Sequence, residues 1–144
     1  MTKTLMAAIL LCAASLSTKA QCDKKVVLTA SKTEHLKADS SLDRSVDEKS
    51  VLEFDKTNFT VNITSDGAEE HKMTGTVKSY TCDWKTPFKE GKTVLKVTLA
   101  DEHESHDLTI TIAGKGGKIS FLAEADDMPD KKLRLVVDSF EEKK

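Results

Sequence analysis

Several things are scarce in this chain. Its 144 residues contain one apolar run of any length, Leu5 to Leu16, and none after it. That run is too short to cross a bilayer core of about 30 Å, so no transmembrane helix is expected. Charge of one sign is also missing: 22 basic residues face 24 acidic ones, for a formal net charge of −2. Nucleic acid and anionic membranes select basic surfaces, so neither is expected as a partner. No serine sits in a G-x-S-x-G elbow, so the sequence shows no assembled nucleophile, base and orienting group. The glycines of "GKGGK" lack the longer spacing and following helix of a phosphate-binding loop. No enzyme is expected, and no cofactor is implied.

The first twenty residues are organised as an export leader. Lys3 gives a positive start, the apolar run follows, and Thr18 and Ala20 supply the small residues of a cleavage site. Residues 1–20 are therefore expected to be a signal peptide, and residues 21–144 a single domain in the periplasm or outside the cell. Cys22 lies where a lipoprotein would carry its lipid, but Lys19 and Gln21 occupy positions where a lipoprotein box needs an aliphatic and a small residue. A soluble exported chain is expected instead. Cutting after Ala20 removes Cys12 and leaves Cys22 and Cys82, an even count that favours a disulfide in an oxidising compartment.

What is abundant is alternation. Leu95, Val97 and Leu99 alternate with polar residues, as do Leu108, Ile110 and Ile112. Ile119, Phe121, Ala123 and Ala125 share a face, as do Leu133, Leu135 and Val137. Earlier in the chain the same period places Val26 with Leu28 and Ala30, Leu52 with Phe54, and Phe59 with Val61 and Ile63. Period two with one polar face is the mark of antiparallel strands that are wet on one side. The breaks are short: "DKTN", "FKEGK", "DEHES", "GKGG" and "DDMPDKK", with Pro129 ending the last. The polar stretch "KADSSLDRSVDEKS" is the exception; the spacing of Leu42 and Val46 allows one helical turn there. About eight antiparallel strands follow. A meander of that size removes its edges by closing, which predicts an all-β, up-and-down barrel, with a β-sandwich as the alternative.

The hairpin "VLEFDKTNFTVNI", the leader followed by a strand and a polar loop, and the remaining meander resemble the small lipocalin-like proteins exported by Bacteroidetes-type bacteria. The resemblance covers most of the chain after the leader. It implies a lipocalin-like barrel fold. Lipocalins carry a tryptophan near the start of the first strand; here the one tryptophan is Trp84, so the resemblance carries fold and no site.

Three groups of residues stand out as candidate sites. Tyr80, Cys82 and Trp84 share one face of their strand, while Met73, Gly75 and Val77 share the opposite face unless a bulge intervenes. With the Met73 face inward, Tyr80 and Trp84 would form an outer binding face, covered by a tail that a Cys22–Cys82 bridge holds in place. Phe54, Phe59, Met73, Gly75, Phe121 and Ala123 are candidates to line an internal pocket, with Gly75 and Ala123 small enough to leave room at one end. His103 and His106, among the acidic residues of "DEHESHD", are the weak candidates for a metal site against the simpler reading of a solvated hairpin tip. The expected function is non-enzymatic binding of a small apolar ligand or a partner protein. The competing expectation is a filled, ligand-free interaction module that docks through Tyr80 and Trp84.

Overall fold

The computed structural model describes residues 21–65, 70–100 and 102–144; residues 1–20, expected to be a leader, lie outside the described residues. Eight strands run in sequence order: β1 (Val26–Leu36), β2 (Leu42–Phe54), β3 (Asn58–Ser65), β4 (Glu70–Thr86), β5 (Glu90–Ala100), β6 (Ser105–Lys115), β7 (Lys118–Ala125) and β8 (Met128–Glu142). Each pairs antiparallel with its neighbours, and β1 pairs with β8 to close a barrel. This is the up-and-down barrel that the alternation predicts, and not the sandwich.

Among the described residues, the inward side chains form one packed core. Leu28, Leu95, Ile110 and Ile112 are among the fully buried residues at its centre, with Val26 and Val97 beside them. Towards the end where β1 begins and β8 finishes, aromatic rings take over. Phe140 is their hub: it stacks on Phe54 at 6.4 Å, tilts against Trp84 at 5.8 Å and meets the edge of Phe88 at 5.0 Å. Phe54 also stacks on Phe59 at 6.0 Å. Such contacts add about 0.5–1.5 kcal/mol each beyond the area they bury.

The turns follow the local chemistry. Gly116 and Gly117 have φ of 60° and 83°, the paired positive angles of a tight two-residue hairpin that L side chains resist. Between β2 and β3, the Asp55 carboxylate accepts the backbone N–H groups of Thr57 and Asn58, both at 2.8 Å. Burial raises the pKa of Asp55 as the largest single effect. The hydrogen bonds from Thr57 and Asn58 together outweigh it and hold the carboxyl below its ordinary value.

Two sequence expectations are corrected. The stretch Leu42–Ser50 is not helical; it is the first half of β2, paired with β1 through Thr33↔Val46 and His35↔Arg44. A spacing of four puts Leu42 and Val46 on one face in a strand as well as in a helix, so it could not separate the two. Pro129 lies within β8 and does not end a loop: β7 turns into β8 through Asp126 and Asp127, Met128 pairs with Ala125, and residues 129–131 are extra before Lys132 pairs with Glu124, so the missing proline N–H costs no ladder bond.

Candidate binding cleft

The barrel departs from ideal pairing at the β7–β8 seam. Phe121 pairs with Leu135, and the ladder runs from there towards the β7–β8 turn. In the other direction it stops. Lys118, Ile119 and Ser120 stay paired with β6, and Val136, Val137 and Ser139 stay paired with β1, but the two edges do not pair with each other. Had the register continued, Ser120 would face Val136 and Ile119 would face Val137.

Two sets of anchors pull the edges apart. The β6–β7 turn is drawn to the β4–β5 connection: the Gly117 N–H donates to the Lys89 carbonyl at 3.2 Å, and the Gly116 N–H to the Glu90 carboxylate at 3.2 Å. The lower half of β8 is drawn to β1. There the Ser139 and Thr29 hydroxyls are 2.5 Å apart, the Ser31 hydroxyl donates to Asp138 at 3.1 Å, and the Lys143 N–H donates to the Lys25 carbonyl at 2.9 Å. A register shift skips Asp138, so Val137 and Phe140 both point inward although they lie three apart.

The gap is an open cleft of about 1040 Å³. Phe88, Ile119, Leu135, Val137 and Phe140 give it an apolar floor. Residues 134–140 of β8 line it without a break, so the cleft exposes a strand edge and not one face of a sheet. Lys115, Lys118, Arg134 and Asp138 form the charged rim. Arg134 is paired with Glu34. Lys115 and Lys118 face each other across the β6–β7 ladder, and no ion pair among the described residues involves either. Like charges directly opposite are unfavourable.

The candidate residues from the sequence lie elsewhere. β4 carries a bulge: Val77 pairs with Val97, but Ser79 pairs with Lys96, so Lys78 is the extra residue. The bulge reverses the alternation. Met73, Gly75, Val77, Tyr80, Cys82 and Trp84 therefore all belong to the inward face, and the expected outer face of Tyr80 and Trp84 does not exist. Trp84 is 2% exposed. Its indole N–H donates to the Thr93 hydroxyl at 2.7 Å, and that hydroxyl lies 3.6 Å from the Cys82 sulfur. Gly91 and Gly114 make the space for its ring: an added Cβ would lie 2.7 Å and 2.6 Å from the indole, respectively. Tyr80 is half-buried; burial first, then the Asp23 and Asp55 carboxylates, push its hydroxyl pKa above the ordinary value.

Cys22 and Cys82 form a disulfide. It fastens the segment before β1 over the aromatic end of the barrel. Gln21 is buried there, and its side-chain carbonyl accepts the Phe88 N–H at 2.8 Å.

Of the six residues suggested as pocket lining, Phe54, Phe59, Phe121 and Ala123 are buried in the core and Met73 packs against it. Gly75 leaves no room: a Cβ there would lie 2.8 Å from Val97 Cγ1 and 2.9 Å from the Thr98 carbonyl. None of the six lines the seam cleft. His106 Nε2 lies 2.8 Å from a Glu104 oxygen on the β5–β6 hairpin tip. Among the described residues, which exclude Asp101, no group of three or more His, Cys, Asp or Glu could hold a metal ion. The chain matches no family model, no curated protein and no solved structure.

Proposed function

We propose that this is an exported, non-enzymatic binding barrel whose site is the β7–β8 seam, where it receives an apolar group. The observation that carries the reading is the cleft itself: an apolar floor opened by splayed strands beside a core of buried side chains. A concave apolar site with a few polar groups at its rim is the usual form of a ligand site. The hydroxyl and carboxylate groups around it are already engaged with side chains or backbone. Ser120 donates to the Ala113 carbonyl at 3.4 Å, Ser139 bonds Thr29, and Asp138 accepts from Ser31. That arrangement suits holding a group in place more than transforming it. Export is supported by the disulfide, which belongs to oxidising compartments, and by the leader pattern of the sequence.

The test is saturable binding of 1-anilinonaphthalene-8-sulfonate, an apolar probe whose sulfonate suits the lysine rim. Val137→Trp fills the cleft floor and should abolish the enhanced probe emission while the circular dichroism spectrum and melting curve stay native. Undiminished probe emission in a natively folded Val137→Trp protein would show that the cleft is not the site.

A further inference from the structure

Resting on the reading of the seam as the binding site, we propose that its occupant is an extended segment of a partner polypeptide. The segment adds as a short strand between β7 and β8, with an acidic residue at the Lys115–Lys118 end.

The open backbone edges discriminate between occupants. Within Lys118 to Ser120 and Val136 to Ser139, the N–H and C=O groups that turn away from the β6 and β1 ladders face the gap, where β7 and β8 do not pair. Open to solvent, they can bond to water. An apolar small molecule that covered them would displace that water and offer no hydrogen bond in return, leaving polar groups desolvated and unpaired. A polypeptide strand replaces the water bond for bond, because every other residue of an extended chain turns its N–H and C=O to the same side. A segment of about four residues, on the order of 13 Å long at about 3.3 Å per residue, spans the open edges. Its alternate side chains would reach the floor made by Ile119, Val137 and Phe140, and the others would face solvent beside Val136, which is 42% exposed.

The charges select the partner. Lys115 and Lys118 oppose each other at the open end, Lys118 on the strand that borders the gap, and an acidic side chain beside Lys118 adds an attraction that offsets their repulsion. The same lysine edge and the Asp138 bulge discourage pairing with an unselected strand, which is how exposed edges are kept from aggregating. The site is thus open to one kind of strand and guarded against others.

The experiment is selection of linear heptapeptides from a displayed library against the disulfide-bonded protein, followed by amide exchange. Recovered peptides should alternate apolar and polar residues and carry Asp or Glu at one end. On binding, the amides of Lys118 to Ser120 and Val136 to Ser139 that face the gap should exchange at least about tenfold more slowly. Methylating one bonded amide nitrogen of the peptide should weaken binding by about tenfold or more, because it removes a ladder bond without removing apolar surface. Lys118→Glu should weaken the acidic peptides. Recovery of no peptide, protection elsewhere on the barrel, or indifference to N-methylation would overturn the strand assignment. Probe emission that Val137→Trp abolishes, with no peptide recovered, leaves the seam as the site and removes only this occupant. Probe emission that Val137→Trp leaves intact removes the seam itself.

Discussion

The burial of Trp84 has a consequence that a double-mutant cycle can measure. Trp84 and Thr93 are 2% and 1% exposed, and one hydrogen bond of 2.7 Å joins them in the barrel interior. Thr93→Val keeps the shape and removes the acceptor. It strands the indole N–H in a dry environment, at a cost of about 1–3 kcal/mol. Trp84→Phe removes the donor and part of the ring from a space that Gly91 and Gly114 hold open. Lost contacts and the residual cavity should cost about 2–4 kcal/mol. Once a phenyl ring has replaced the indole there is no N–H to strand, so adding Thr93→Val should cost little. The double variant should therefore be less destabilised than the sum of the singles by about 1–2 kcal/mol. Urea unfolding followed by far-UV circular dichroism is the suitable assay, since the one tryptophan is itself a variable. Additivity within about 0.3 kcal/mol would mean that the bond is not made. A Trp84→Phe protein as stable as the parent would mean that the ring is on the surface, and the inward-facing account of β4 would fail with it.

Three further outcomes follow from the same end of the barrel. Replacing Cys22 and Cys82 by serine opens a loop of sequence separation 60, and the chain-entropy model puts the loss at about 4 kcal/mol, read as a lower urea midpoint than the oxidised parent. Gly114→Ala drives a methyl to within 2.6 Å of the indole and 2.8 Å of the Lys89 carbonyl; a loss of about 1–3 kcal/mol is expected, against no loss if the ring can move aside. Tyr80 is the one tyrosine, so absorbance near 295 nm reports it alone among phenols. Its folded pKa is raised above 10.0 by burial and then by Asp23 and Asp55, so its titration midpoint should fall on denaturation. The sign for stability follows: this contribution is present below the unfolded value and is lost as pH rises through the folded one. An unchanged midpoint in denaturant would contradict it.

Much of the barrel was legible because alternation is a local property. Leu95–Val97–Leu99 and Leu108–Ile110–Ile112 announce which face is wet, and Gly116–Gly117 announces a tight turn. The same rule failed wherever one residue was inserted. Counting by twos from Met73 carries Tyr80 and Trp84 to the outside; Lys78 adds one step and brings them in. Nothing in "TVKSYTCDW" marks Lys78 as the bulge, because the cause lies across the ladder, where Leu95 and Val97 need inward partners. The glycines were the available clue. Gly91 and Gly114, each beside a strand end, are difficult to explain in a packed sheet until an indole lies over them.

The seam was hidden for a related reason. β7 and β8 are neighbours in sequence with matching patterns, so pattern alone extends their ladder past Phe121. What stops it is held by other strands. Gly116 and Gly117 bond to Glu90 and Lys89 across 26 and 28 positions of chain, while Phe140 is fixed among Phe54, Trp84 and Phe88. Closing the seam by pairing Ile119 with Val137 would require one of these sets to yield. The aromatic cluster is the costlier one to disturb, since it is buried and tied down by the Cys22–Cys82 bridge and the Gln21–Phe88 bond. The Gly116 bond to Glu90 is exposed, so the β6–β7 turn is the part able to move. An occupant that widens or fills the gap would therefore act on that turn first, and the barrel core would be left as it stands.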